Sequence, residues 1–276
     1  RLFCIIQELM SYTKTRVLSL GAGVQSSTLA ILCEKGIIEK PDFAIFADTQ
    51  AEPKAVYDYL EYLKGILSFP VHVITHGDIV NDMLNSQFVS APLYVLHADG
   101  SKGIGKRQCT ADYKIKPINK AVRRILGYKK NQRIKHEVEM LIGISVDEIQ
   151  RMKTSPEKWI KNRYPLIEQM NFTRQDCIEF MEKNNIKKPP RSACYICPYR
   201  NDLEWHILKN DYPDEWEKAV DFDEKIREIK TGVQGKQYLH KSCKPLKDVE
   251  LKPQFENTQL GIFSEMQNEC EGMCGI

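Results

Sequence analysis

The chain has 276 residues, of which 42% are hydrophobic and 28% charged, and its net charge is +3. These values describe an ordinary globular protein with room for one large α/β domain and an appendage. The net charge is too small to demand nucleic acid, though a local basic patch can still exist, and no apolar run approaches the roughly 20 residues of a membrane span. The opening Arg1-Leu2-Phe3-Cys4-Ile5-Ile6 carries one charge, a very short apolar core and no small-residue cleavage site, so it reads as neither leader nor anchor. Residues 1–12 are expected to be an extension, with Met10 the more natural start and the cytoplasm the default location. Nine cysteines, an odd number in a chain of this length, favour metal or redox chemistry over a disulfide framework.

Val17 to Leu20 reads as a buried strand that runs into Gly21-Ala22-Gly23, and a helix follows from about Gln25 to Glu34. Gly21 and Gly23 place no Cβ between the backbone amides and an anion. Ser26, Ser27 and Thr28 add hydroxyls at the positive end of the helix. This is a phosphate-binding pattern, without the Lys of a Walker loop or the spacing of a dinucleotide fingerprint. The bland alternative is a glycine-rich turn that binds nothing. Asp42 to Ala47 is a second apolar strand, ending at Asp48-Thr49. Pro53 suits the first turn of the next helix, where Val56, Tyr59, Leu60 and Leu63 recur at helical spacing. Val71 to Ile74 is a short third strand, Lys114 to Leu126 a basic helix, and Glu139 to Ile144 a fourth buried strand.

Strands separated by helices imply right-handed crossovers and an α/β, doubly wound, largely parallel sheet. Ligands in such sheets sit at the carboxyl ends of the strands. The phosphate loop, Asp48-Thr49 and Ser145-Val146-Asp147-Glu148 all fall on that rim. Pro189-Pro190 breaks the pattern, which gives a nucleotide-binding domain over 13–187 and a small cysteine-rich region over 188–276. Trp205 and Trp216 fall there in short helical stretches.

Cys194-Tyr195-Ile196-Cys197-Pro198, flanked by Arg191 and Arg200, can chelate a metal through two thiolates or form a redox pair. Cys109 precedes the basic helix. Cys243, Cys270 and Cys274 are further thiols, whereas Cys4, Cys33 and Cys177 sit in apolar or helical contexts and read as small core residues. Lys114, Lys116, Lys120, Arg123 and Arg124 form a basic helix continued by Lys129, Lys130, Arg133 and Lys135. Such a run suits a tRNA or DNA backbone, and equally a solvated face.

Gly21-Ala22-Gly23-Val24-Gln25-Ser26 resembles the pyrophosphate loop (Ser-Gly-Gly-x-Asp-Ser) of the PP-loop enzymes. Gln25 stands in place of Asp, and Ala22 replaces the first Gly of the adjacent pair. Asp48-Thr49, Gly143 to Arg151 (Gly-x-x-x-x-Glu-x-x-Arg), Tyr164-Pro165-Leu166 and Phe172-Thr173-Arg174-Gln175-Asp176 are similar to segments of the phosphoadenosine phosphosulfate reductase branch, in family order over residues 17–180. The resemblance implies a site for ATP or another adenine nucleotide on Ser19, Gly21, Gly23, Gln25, Ser26, Ser27, Asp48, Gly143, Glu148 and Arg151. Lys153 is a further phosphate candidate, and Asp147 and Glu148 are candidates for Mg²⁺.

Cys109 with Lys114-Ile115-Lys116-Pro117 and the Cys194/Cys197 pair resembles the layout of the iron–sulfur adenylylsulfate reductases, with Thr110 where a second Cys stands in that family. This implies a 4Fe-4S cluster, or alternatively Zn²⁺, on Cys109, Cys194, Cys197 and a tail cysteine, Cys270 or Cys274. The implied chemistry is ATP cleavage between the α and β phosphates followed by sulfur transfer to a nucleic acid or small molecule. Ser26 and Cys270 would be the catalytic residues, supplied by a sulfur donor. Glu269-Cys270 echoes the Glu-Cys-Gly-x-His nucleophile motif of the reductases, which thioredoxin reduces, but the Gly is displaced and the His is missing. Reductase is therefore the second reading, and a non-catalytic nucleotide-binding regulator the third.

Overall fold

The computed structural model describes residues 14–86, 88–229 and 232–252. Strands β1 (Thr15–Ser19), β2 (Phe43–Asp48), β3 (Val71–Thr75), β6 (Val138–Ile142) and β7 (Ile160–Arg163) form a five-stranded sheet in the order β3-β2-β1-β6-β7. Every neighbouring pair is parallel. Parallel pairing demands a crossover between successive strands, and helices supply it. Helices α1 (Val24–Glu34) and α2 (Lys54–Ile66) cover one face, with Val56, Tyr59, Leu60 and Leu63 buried as their spacing predicts. After the short α3 (Ile79–Asn85), helix α4 (Lys116–Ile125) covers the other face through Ile118, Ala121 and Val122. The sheet is therefore doubly wound, and β1 lies at its centre. Val24 through Cys33 are buried on every side of α1, which explains the weak amphipathicity of that segment.

The basic helix starts differently from the sequence reading. Residues Thr110–Ile115 form a π-helical turn, and the regular α4 begins only at Lys116, with Pro117 in its first turn. Strand β7, with the pattern Ile-Lys-Asn-Arg, carries no apolar run and gave no sequence signal.

A second sheet is antiparallel. Strand β4 (Tyr94–Leu96) pairs with β5 (Lys102–Ile104) and with β8 (Lys236–Tyr238), so the hairpin at 94–104 joins residues from the far end of the described chain. Helices α7 (Asp202–Asp211) and α8 (Pro213–Glu228) pack beside it around Trp205, Leu208, Phe222 and Ile226. Trp216 thus belongs to a helix of 16 residues, longer than expected. This core is continuous with Ala51, Ile79 and Met83 of the larger unit.

Two buried carboxylates organise the two units. Glu139, on β6, contacts Lys14 at 2.7 Å, Arg16 at 3.2 Å and Arg163 at 2.7 Å. Burial alone would push its carboxyl up, but Lys14 and Arg163 hold it below the ordinary carboxylate value. Asp223, on α8, is fully buried; it accepts the amides of Leu239 and Leu246 at 2.8 Å each and pairs with Arg227. It therefore clasps both ends of the 239–246 loop.

Because the Glu139 carboxyl titrates lower in the folded chain than in the unfolded one, its contribution is present above the unfolded pKa and lost as pH falls through the folded value. Glu139→Gln should cost about 2–3 kcal/mol at neutral pH. The gap to wild type should close as pH drops below about 4, as denaturant titrations at several pH values will measure. Asp223→Ala leaves two buried amides and an arginine without their acceptor, and should cost about 3 kcal/mol or more in the same assay.

Candidate phosphate and thiol site

The loop after β1 turns through Ala22, whose φ of 57° lies in the left-handed region. Gly23 has φ −93°, which any residue can adopt. The position that needs a glycine is thus the one where the chain has Ala. Ser26 Oγ accepts the Gly21 amide at 3.2 Å and donates to the Gly23 carbonyl at 3.4 Å, which closes the loop on itself. Ser19 and Ser27 are buried beside it, and the Ser19 hydroxyl has no hydrogen-bond partner among the described residues. A buried, unsatisfied hydroxyl beside a helix N-terminus is the donor an anion would use.

Gln25 is not aimed at solvent. Its amide donates to Ser145 Oγ at 3.4 Å and to Glu148 Oε2 at 3.1 Å, and its oxygen accepts from Arg174 at 3.0 Å. Glu148 is also paired with Arg151. The predicted Gln25, Glu148 and Arg151 are therefore brought together, but as one buried network that joins α1 to the 3₁₀ turn Val146–Arg151 and, beyond the one-turn α5 (Pro165–Glu168), to α6 (Arg174–Lys183). Asp147 caps α6 by accepting the Arg174 amide at 3.1 Å. Both carboxylates offered for Mg²⁺ thus already accept hydrogen bonds from protein groups. Lys153 is exposed, with its amide held by the Tyr164 hydroxyl at 2.9 Å.

Gly143 serves close approach. A Cβ there would stand 2.6 Å from Ser26 Cα and 2.6 Å from Ser26 N. Asp48 does not cap α2; its Oδ1 accepts the Gln50 amide at 2.8 Å and the Tyr57 hydroxyl at 2.7 Å, shaping the turn at the end of β2.

The cysteine segment lies on the same rim. Ser192 donates to the Gly21 carbonyl, the Tyr195 amide donates to the Ala51 carbonyl at 2.8 Å, and Thr49 Oγ1 lies 3.1 Å from Cys194 Sγ. Cys194 Sγ stands 3.8 Å from Glu52, which pairs with Lys114 at 3.4 Å in a buried contact. Ser192 was singled out by no motif, whereas Thr49 and Glu52 belong to the Asp48-Thr49 segment without having been given a role of their own. Only their places beside Asp48 and Cys194 would have pointed to them.

Cys109 and Cys194 pack against one cluster of apolar side chains around Ile196 and Trp205. The Arg107 guanidinium sits 5.5 Å from the centre of the Tyr199 ring, binding the Cys109 segment to the Cys197 segment. Among the described residues, no three His, Cys, Asp or Glu side chains are gathered closely enough to hold a metal ion as placed. Cys33 and Cys177 are buried in the main core, and burial pushes the Cys33 thiol up to about 12. Cys4, Cys270 and Cys274 lie outside the described residues.

No family model matches the chain, and no curated protein matches it. Among solved structures it is similar to a phosphoadenylyl-sulfate reductase from Candida auris in a phosphate complex. That match has 14% identity and a TM-score of 0.43 over 67% of this chain and 80% of that one. It is also similar to the U34-tRNA thiolase NcsA from Methanococcus maripaludis with its 4Fe-4S cluster. There the identity is 12% and the TM-score 0.39, over 86% of this chain and 80% of that one.

The basic run is less available than the sequence suggests. Lys114 is buried against Glu52, Lys116 pairs with Asp112 at 2.6 Å, and Arg123 donates to the carbonyls of Lys129 and Gln132. No helix among the described residues is long and apolar enough to cross a membrane.

Gly143→Ala should force β6 and the start of α1 apart and cost about 1–3 kcal/mol. Equilibrium binding of a fluorescent adenine nucleotide should weaken with it, whereas Gly65→Ala, at a glycine of α2 with open space around it, should leave binding unchanged.

Proposed function

We propose that this chain is an ATP-dependent, PP-loop-type enzyme of sulfur chemistry. The observation that carries the reading is the Cys194 thiol, 3.1 Å from Thr49 at the end of β2, in a segment whose Ser192 bonds to the phosphate loop at Gly21. Thiol chemistry and phosphate chemistry share one rim, where parallel sheets hold their ligands.

The α1 N-terminus, the Ser19 and Ser26 hydroxyls and the loop amides would bind the nucleotide phosphates, with Mg²⁺ carried by the nucleotide. An oxygen of the acceptor attacks the α-phosphorus, the bond to the β-phosphate breaks, and pyrophosphate leaves. A sulfide-level sulfur from a donor then attacks the activated carbon, and AMP departs with the oxygen. The donor set of Cys109, Cys194 and Cys197 is all thiol, which suits iron–sulfur or zinc binding. A bound iron–sulfur cluster would supply a Lewis-acidic iron site for that sulfur. Lys114, paired with Glu52, and Arg200 place positive charge beside the C-x-x-C segment. A tRNA, a DNA or a small molecule would serve as acceptor.

A second reading, a nucleotide-binding regulator, is favoured by the complete burial of Gln25 within its network. The test is AMP and pyrophosphate release from ATP by anaerobically purified protein, with and without bulk tRNA or DNA. Ser26→Ala should lower turnover about a hundredfold. Tight ATP binding without turnover, whatever the acceptor, would establish the regulator. Sulfite release from adenylylsulfate or its 3′-phosphate with a thioredoxin-like reductant would establish the reductase.

A further inference from the structure

The carboxyl edge of the main sheet continues past Cys194 to the end of β3. The Gln50 side-chain amide donates to Thr75 Oγ1 at 3.2 Å, and the Ile79 amide donates to the Thr49 carbonyl at 3.1 Å. The end of β3 and the start of α3 are thereby held to the rim that carries Thr49. Two adjoining hollows open there, sharing His76 and Lys120, and neither belongs to the phosphate and thiol site. The smaller, of about 230 Å³, lies between the end of β3 and α4. Thr75, His76, Lys120 and Arg124 line it, and no carboxylate among the described residues does. Lys120 and Arg124 are exposed and four residues apart on α4, about 6 Å along the helix axis and on one face.

The larger hollow, of about 300 Å³, is built differently. Its two carboxylates are engaged: Asp82 accepts the Tyr113 hydroxyl at 2.7 Å, and Asp112 pairs with Lys116. The His76 ring stands edge-on to Tyr113, with centres 5.2 Å apart. Phe88 lines the same hollow and is 53% exposed. Ser90 lines it too, buried, and its hydroxyl has no hydrogen-bond partner among the described residues. A lone exposed aromatic needs no explanation, but one beside a buried, unsatisfied hydroxyl does. The Ser90 carbonyl accepts the amides of Gln108 and Cys109 at 2.9 Å each, so this wall is continuous with the Cys109 backbone. Cys109 also leads into the π-helical turn that carries Asp112 and Tyr113, and such turns concentrate at functional sites.

An aromatic, hydrogen-bonding hollow suits a base and its sugar, and a cationic hollow without carboxylates suits phosphate. Side by side they match one nucleotide. The cationic run also continues: Arg123 holds the carbonyls of Lys129 and Gln132 against α4, and Lys129, Lys130, Arg133 and Lys135 are exposed there. More phosphates than one are therefore provided for. We propose that the two hollows bind an unpaired nucleotide of a single-stranded nucleic acid, its base against Phe88 and its phosphate on Lys120 and Arg124. That this strand is the sulfur acceptor rests on the function proposed above; its binding does not. A base stacked inside a duplex cannot reach Phe88, whereas a splayed one can.

The experiment is fluorescence anisotropy of the full chain with labelled single-stranded RNA and DNA of about 12 nucleotides, over a range of salt. The variants are Phe88→Ala, a Lys120→Gln/Arg124→Gln double, and Lys225→Gln as an exposed control on α8. All three sites are exposed, so thermal unfolding should match wild type. The double should weaken binding about tenfold or more at low salt. It should also make log Kd against log salt shallower by roughly 1.4, the share of two phosphate contacts. Phe88→Ala should weaken binding about fivefold or more with the slope unchanged, because stacking releases no counterions. Lys225→Gln should bind as wild type does. Binding indifferent to the double and to Phe88→Ala, or a duplex held as tightly as the single strand, overturns the assignment. Equal affinity for AMP, or for a polyglutamate peptide, overturns it in favour of a free nucleotide or an acidic protein. Pyrophosphate release from ATP is followed on the same preparations. Release without strand binding removes the cleft and leaves the enzyme, whereas strand binding without release, whatever the acceptor, supports the cleft and removes the enzyme.

Discussion

The amide of Tyr195 donates to the carbonyl of Ala51, and this one backbone bond sets where the cysteine segment stands relative to the sheet. A parallel sheet delivers all its strand ends to one edge and leaves backbone groups there to be satisfied by whatever packs next. Here the chain that satisfies them carries Cys194 one residue before the bond and Ile196 one residue after. The thiol is thereby fixed beside Thr49 and Glu52, while Ile196 anchors the segment in apolar surroundings. The hydrogen bond from Ser192 to Gly21 continues the same seam to the phosphate loop.

Charge along this seam is expensive, and its arrangement says what it is for. Lys114 and Glu52 are both withdrawn from water, which costs more than their attraction returns unless other groups share the field. Cys194 is one such group. Arg200, buried, has its pKa lowered to about 10, first by burial and then by Arg191, with Cys197, Cys194 and Glu52 pulling the other way. Two cations thus stand beside the C-x-x-C turn, together with the Glu52 carboxylate. A structural core would have used apolar residues at these positions at lower cost.

Much of the scaffold was legible in the sequence because its signals are local. Val56, Tyr59, Leu60 and Leu63 fall on one helix face by spacing alone, and the strands at 17–20, 42–47 and 71–74 are apolar runs bounded by polar residues. The rim was legible for the same reason, since strand ends follow from strands. What escaped was set by long-range pairing. Strand β7 is polar and survives by pairing with β6, and the β4-β5-β8 sheet joins residues more than a hundred positions apart. Within the site, Gln25 and Glu148 could be named but not joined, because a contact across 123 positions leaves no periodic trace. The basic helix misled in the opposite sense: composition counts charges, whereas burial and carbonyl acceptors had already used Lys114 and Arg123.

The bond from Ser192 to Gly21 has a thermodynamic consequence. One short stretch of backbone belongs to the phosphate loop at one end and to the C-x-x-C turn at the other. Two ligands that lean on the same stretch are linked. If occupancy of the cysteines shifts Ser192, nucleotide affinity changes by some factor, and nucleotide binding must change the affinity of the cysteines by that same factor. Such reciprocity would make each of the two places on the rim a reporter of the other's occupancy.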